Sequence, residues 1–263
     1  DGYHGDDIRE LAAAFQKEHG EEYRHEPSAE LRNALIQFGL GNNIPKMKRD
    51  LLRYGIQYDV WFSETTLHES GAVRDTVNML AERGYTYEKD GAIWLRTTQF
   101  GCEKDDVLRR ANGFYTYFAV DIAYHRNKFI DRGFDRVINV WGADHHGHVA
   151  RLKAGCEAIG VDPARLEIVL MQFVNLMRNG EIVRMSKRTG KTISLSDLLD
   201  EISVDAARFF FNMRQPDTLI DFDLDLAVRQ DSENPVYYVQ YAHARICSLI
   251  KTLAGDGVTV PVA

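Results

Sequence analysis

Three cysteines in 263 residues, Cys102, Cys156 and Cys247, form no C-x-x-C pair and are odd in number. That scarcity excludes a disulfide framework and points to reduced, buried thiols in a cytoplasmic chain. No run of about 18 apolar residues occurs, so no membrane-spanning helix is expected. The opening Asp1-Gly2-Tyr3-His4-Gly5-Asp6-Asp7 lacks the basic and apolar regions of a signal peptide. Positive charge is also short, with 32 Lys and Arg against 39 Asp and Glu, a net charge of −7. A protein that held nucleic acid by bulk electrostatics would be basic, so any nucleic acid must meet a local patch. Repeats and low-complexity tracts are absent too. What remains is 44% hydrophobic, 11% aromatic and 27% charged, the composition of a globular chain able to bury a core.

The apolar spacing predicts a helix capped by Asp6, with Ile8, Leu11, Ala12 and Phe15 on one face. A second helix from Ser28 is expected to break at Gly39, Gly41 and Pro45, followed by a short one over 47–54 closed by Gly55. Tyr58 to Ser63 is rich in β-formers and reads as a strand. A helix follows over 71–83. A hairpin is expected over 85–97, with Asp90-Gly91 as its turn. Residues 114–129 read as a helix. Val137-Ile138-Asn139-Val140-Trp141 reads as a buried parallel strand, with a helix over 149–159 and a further strand over 166–171. That succession implies a βαβ unit in a parallel sheet. Beyond 195 the pattern is helical, with helices opening near Ser196, Asp205 and Pro235.

Three segments carry chemistry. Gly142-Ala143-Asp144-His145-His146-Gly147-His148 follows the carboxyl end of an expected strand, where open α/β sheets bind ligands. Its glycines admit close backbone approach, and Asp144 can accept from ribose hydroxyls. Zinc is the competing reading, but adjacent His145 and His146 diverge on any regular element and no fourth ligand is evident, so no metal ligand is assigned. A purely structural loop is the other alternative. Val183 to Thr192 packs Arg184, Lys187, Arg188 and Lys191 with Ser186 and Gly190, a setting suited to a polyphosphate. Met185 stands where a Walker P-loop needs its first glycine, which excludes that motif and leaves a solvated basic loop as the plain alternative. Finally, Glu64 follows Trp61 and Phe62, and Asp121 lies four residues from Tyr117 among other aromatics. A carboxylate beside tyrosines can seat a guanidinium through bidentate pairing and stacking. The alternatives are a helix cap for Glu64 and a surface pair for Tyr117 and Asp121.

Taken in order, these segments resemble the arginyl-tRNA synthetases of bacterial type, members of class I of the aminoacyl-tRNA synthetases. Arg184-Met185-Ser186-Lys187-Arg188 is similar to the family's Lys-Met-Ser-Lys-Ser loop, and Gly142-Ala143-Asp144-His145 to its Gly-x-Asp-His segment. Asp205-Ala206-Ala207-Arg208-Phe209 resembles the Asp-Ala-x-Arg-Phe stretch after the loop. The run from Asn234 to Arg245 resembles the entry to the anticodon-binding bundle. The class I His-x-Gly-His signature has no counterpart in its expected place; His145-His146-Gly147-His148 has the pattern but follows a different strand.

The resemblance implies an α/β fold: the second half of a class I Rossmann-like parallel-sheet catalytic domain with a connective insertion, then an α-helical region. It implies a helical lead-in over 1–57, the catalytic part over 58–200 with the insertion at about 72–115, a stem-contacting region over 201–233, and the start of the anticodon bundle over 234–263. It further implies ATP with Mg²⁺, L-arginine and arginine tRNA as ligands, in a cytoplasmic, monomeric enzyme. Lys187, Arg184, Ser186 and Arg188 would be catalytic. Gly142, Asp144, His145 and Met185 would bind ATP, and Glu64, Tyr117, Asp121 and His145 the arginine. As an internal portion without the His-x-Gly-His half, the segment alone is expected to be inactive. The alternatives from other classes are a non-catalytic RNA- or nucleotide-binding module and a zinc hydrolase built on residues 145–148. A cysteinyl synthetase is disfavoured because its zinc site needs cysteine ligands.

Overall fold

The computed structural model describes residues 5–20, 22, 28–183 and 193–258. Its first helix, α1 (Asp6–His19), is preceded by Gly5 at the N-cap, so Asp6 is not the cap. Asp6 and Asp7 occupy the first turn instead, where the helix dipole favours a carboxylate. Helix α2 (Ala29–Arg53) opens on Ser28, whose hydroxyl accepts from the Leu31 amide at 3.0 Å. It runs through Gly39, Gly41 and Pro45, where a break was expected. A proline in a helix interior costs about 3 kcal/mol and a glycine about 1 kcal/mol relative to alanine. The turns on either side continue, and the far end is anchored: Arg53 donates to the Leu199 carbonyl and to Asp200, both at 2.6 Å. The expected closure holds, with Gly55 at φ +82° and the Ile56 amide donating to the Leu51 carbonyl.

Two packed units divide the chain: Asp1–Asp59, Val174–Gln215 and Ile220–Ala263 form one, and Val60–Phe173 with Pro216–Leu219 the other. The expected strand over 58–63, where one unit gives way to the other along the chain, does not form. Strand propensity is realised only against a neighbouring strand, and none pairs with this segment among the described residues. Phe62 stacks on Tyr124 instead, with ring centroids 4.5 Å apart. Helix α3 (Thr65–Glu69) leads to α4 (Ala72–Glu82), which buries Val73, Thr76, Val77 and Leu80, an i, i+3, i+4, i+7 stripe.

The hairpin of β1 (Thr86–Lys89) and β2 (Ala92–Leu95) turns on Asp90 and Gly91, at φ +52° and +73°. Both angles suit a type I′ turn. Strand β3 (Asp106–Arg109) adds to β2 antiparallel and was not foreseen. Helix α5 (Tyr117–Arg126) starts three residues later than the spacing predicts, because Thr116 is its cap, and it continues as one wide turn over Asn127–Asp131.

Strand β4 (Val137–Gly142), helix α6 (Val149–Ala158) and strand β5 (Leu166–Met171) form the expected βαβ unit, paired in parallel from Val137↔Leu166 to Gly142↔Met171. Burial on both faces of β4 is not observed. Val137 and Asn139 turn inward, while Ile138 and Val140 are 53% and 62% exposed. Helices α4, α5 and α6 pack in succession, around Leu80, Leu95, Leu108, Ile122, Leu152 and Leu166.

The remainder of the first unit begins with β6 (Val174–Arg178) and β7 (Glu181–Ile182). Helix α7 (Leu195–Glu201) carries a reciprocal capping box of Ser194 and Asp197, and α8 (Val204–Asn212) is capped by Ser203. Strand β8 (Ile220–Asp223) pairs parallel with β6, which pairs antiparallel with β7. After α9 (Leu224–Val228), helix α10 (Pro235–Gly255) opens with Asn234 as cap and proline at its first position. Leu176, Leu198, Leu199, Ala207, Phe222 and Leu224 form this unit's core. Among the described residues no helix is long and apolar enough to cross a membrane.

Candidate functional site

Helix α5 carries Tyr117 on its first turn and Asp121 one turn later, so both side chains share a face. Tyr117 is 82% exposed and lines a cavity of about 500 Å³ together with Trp94, Lys104, Arg110, Phe118 and Arg151. Helix α3 packs on α5, and Glu64 immediately precedes α3. Glu64 is exposed and occupies the N-cap position of α3, yet its side chain makes no capping bond. The cap alternative for Glu64 therefore has no hydrogen bond behind it.

Asp121 is held from two sides. Its Oδ2 accepts from His148 Nε2 at 2.7 Å. The His148 ring lies against Trp141, with centroids 5.4 Å apart and 28° between planes, and meets Phe118 at 80°. His148 Nδ1 accepts from Arg151 Nε, and the same guanidinium reaches Asp106 on β3 at 3.2 Å. On the other side, His125 Nδ1 donates to the Asp121 carbonyl at 2.7 Å, and Asn139 Nδ2 donates to His125 Nε2 at 2.8 Å. Lys128 Nζ completes this second chain at Asn139 Oδ1, 3.2 Å away, and lies over the Tyr124 ring.

Burial sets the electrostatics here. It pushes His125 down to about 4, with the Lys128 charge adding to the effect. It also lowers Lys128, and raises the Cys156 thiol to about 12, so that cysteine is an inert core residue.

At the carboxyl end of β4, the Asp144 carboxylate lies against the Gly142 Cα, where a Cβ would stand 2.5 Å from Oδ1 and turn that exposed side chain aside. Asp144 and His145 follow on an exposed 3₁₀ turn, with His145 Nε2 3.9 Å from Asp144 Oδ2. The strand end thus presents a glycine and a carboxylate together. His148 faces Asp121 rather than His145 or His146, and no group of His, Cys, Asp or Glu is arranged to hold a metal among the described residues.

Glu64, Tyr117, Asp121, Gly142, Asp144 and His145 therefore all fall in one unit, with Tyr117 and Asp121 on one helix face. Arg184, Met185, Ser186, Lys187 and Arg188 lie outside the described residues. Sequence reasoning missed the partners of Asp121. Two signals marked them: a lone Asn139 inside an apolar strand, and a histidine one turn beyond Asp121.

A family model for "tRNA synthetases class I (R), catalytic domain" matches residues 44–246. The arginine–tRNA ligase of Caldanaerobacter subterraneus subsp. tengcongensis is 62% identical over 98% of this chain and 46% of its own length. That of Ruminiclostridium cellulolyticum is 56% identical over 100% of this chain and 47% of its own length. The chain thus spans about half the length of the curated relatives it matches. A crystal structure assigned as an arginyl-tRNA synthetase from Campylobacter jejuni superposes with a TM-score of 0.85 at 38% identity, covering 98% of this chain and 55% of that one. The Thermus thermophilus arginyl-tRNA synthetase, at 18% identity and a TM-score of 0.72, over 92% of this chain and 51% of that one, shares the fold. With the βαβ unit, the strand-end glycine and the ordered motifs all inside the matched span, the chain belongs to the arginine family of class I tRNA synthetase catalytic domains.

Proposed function

We propose that the full-length gene product containing this chain is an arginine–tRNA ligase. It activates L-arginine with ATP and transfers it to the 3′-terminal adenosine of arginine tRNA. The observation that carries this reading is the 62% identity to an arginine–tRNA ligase across 98% of the chain. The Tyr117–Asp121 face on α5 supports it by offering a ring and a carboxylate of the kind a guanidinium needs.

In the first step the arginine carboxylate attacks the α-phosphorus of ATP in line. A new P–O bond forms, the bond to the β-phosphate oxygen breaks, and its electron pair leaves with pyrophosphate. Mg²⁺ enters with the nucleotide as part of the substrate. No side-chain nucleophile is required, so rate comes from placement and from charge stabilisation. Lys187 is assigned to the β- and γ-phosphates as charge builds on the leaving group, with Arg184, Ser186 and Arg188 in support. Met185 packs against the adenine. Gly142 and Asp144 hold the ribose, while Glu64, Tyr117, Asp121 and His145 hold the arginine. The terminal adenosine hydroxyl then attacks the adenylate carbonyl and releases AMP.

Lysine is rejected because its ammonium cannot form the two-pronged contact and would leave an acceptor unpaired. Residues 201–233 are assigned to the acceptor stem and α10 to the entry of the anticodon-binding bundle. The reaction is assigned to the cytoplasm and the enzyme to a monomer, which light scattering tests directly. The deciding experiment is ATP–pyrophosphate exchange by the full-length gene product across the amino-acid set, with and without total tRNA. Exchange with arginine alone supports the reading, and exchange with another amino acid, or with none, overturns it.

A further inference from the structure

The carboxylate of Asp121 is not free to turn. His148 Nε2 donates to Oδ2 at 2.7 Å, and the His148 side chain is only 10% exposed, whereas that of Asp121 is 34% exposed. An arginine Nε can only donate, so the bond from Arg151 Nε leaves His148 Nδ1 bare. The one remaining ring proton then sits on Nε2, where it meets Asp121. Arg151 is fixed in turn by Asp106 on β3. Among the described residues Oδ1 of Asp121 accepts no hydrogen bond. The relay Asp106–Arg151–His148 therefore consumes one oxygen of Asp121 and aims the other.

We propose that His148 is a positioning residue for arginine recognition, orienting Asp121 so that Oδ1 meets the incoming guanidinium, with Arg151 fixing the imidazole tautomer. This rests on the reading that Asp121 holds the arginine side chain. A carboxylate already locked in place loses less rotational freedom on binding than one that must be ordered by the ligand. His148 closes the 3₁₀ turn that carries Asp144 and His145, but its polar contacts run to Asp121 and Arg151, so the effect is expected on amino-acid binding more than on the nucleotide.

The test uses two variants in the full-length gene product. His148→Phe keeps a ring against Trp141 and removes the donor, while His148→Gln restores an N–H donor. Loss of that orientation should raise the arginine KM roughly tenfold in His148→Phe, which corresponds to about 1.4 kcal/mol of binding. The ATP KM and kcat should stay within about twofold, and His148→Gln should recover most of the arginine KM. An unchanged arginine KM in His148→Phe, or equal rises for arginine and ATP, overturns the proposal. So does failure of His148→Gln to improve on His148→Phe. The 263-residue chain itself supplies an independent readout in the imidazole ¹⁵N shifts of His148. A bare Nδ1 and protonated Nε2 are expected, and the opposite tautomer overturns the relay. Should Asp121→Asn leave the arginine KM unchanged, the assignment of Asp121 to arginine is what fails, and the ¹⁵N signature still decides whether the relay exists.

Discussion

A single carboxylate and a single ammonium bear most of the proposed chemistry. Asp121→Asn keeps the shape of the side chain but removes the charge a guanidinium pairs with. The arginine KM of the full-length gene product should rise about tenfold or more while the ATP KM moves little. Equal values for both substrates in the variant and the parent would make Asp121 structural. Lys187→Ala removes a donor that acts as pyrophosphate leaves, and loss of one such preorganised donor costs about 3–4 kcal/mol. Pyrophosphate exchange should therefore slow at least about a hundredfold, and near-normal exchange would strip Lys187 of that role. His125 makes a prediction about stability. Its folded value, about 4, lies below the ordinary 6.5, so the unfolded chain takes up its proton first as pH falls. The neutral buried ring contributes fully above pH 6.5, and its contribution of about 3 kcal/mol is lost between pH 6.5 and 4. The carboxylates held below their usual range, Asp105, Asp197 and Asp231, lose theirs at lower pH still. Urea midpoints followed by tryptophan fluorescence should fall across that window, and His125→Gln should flatten the slope.

At the level of helices and strands, local chemistry was legible wherever one segment sufficed. The Asp90-Gly91 turn, the apolar stripe of α4, the caps at Ser28 and Asn234, and the β4–α6–β5 unit all follow from short-range patterns. The failures share a cause. Strand β8 is Ile-Asp-Phe-Asp, and only its partner β6, more than forty residues earlier, makes it a strand. Conversely Tyr58 to Ser63 has the composition of a strand and no partner among the described residues. Of the candidate site, the Tyr117–Asp121 spacing and the strand-end glycine were readable. The relay through His148 and Arg151 was not, because it joins four elements: β3, α6, the 3₁₀ turn and α5. Helix packing supplies its own test at Gly155. A methyl there would stand 2.6 Å from Ile122 Cγ1 and 2.8 Å from its Cδ1, and Ile122 is fully buried. Alanine is the better helix former by about 1 kcal/mol, yet overpacking a filled core costs about 1–3 kcal/mol. Gly155→Ala should therefore lower the thermal midpoint, and a rise would show that α5 and α6 can part without cost.

Across the whole molecule, two cores replace one. Trp61, Trp94 and Trp141 are the only tryptophans, and all three fall within Val60–Phe173. Most of the long helices, α1, α2 and α10 among them, fall in the other unit. Tryptophan fluorescence thus reports one unit, while far-UV circular dichroism is dominated by the other. Urea titrations read by the two probes should give separate midpoints, and coincident curves would mean a single cooperative structure. The anchoring of α2 also sets an order of events during synthesis. Arg53 bonds to Asp200, 147 residues further along the chain. At about 5–20 residues per second, roughly 7–30 s separate the emergence of those two partners from a ribosome. Residues 60–173 emerge before Asp200 and close shorter loops, although the unit they form also takes in Pro216–Leu219. Helix α2 must wait through that interval without the contact that fixes its far end, so its docking is a late event however early its turns form.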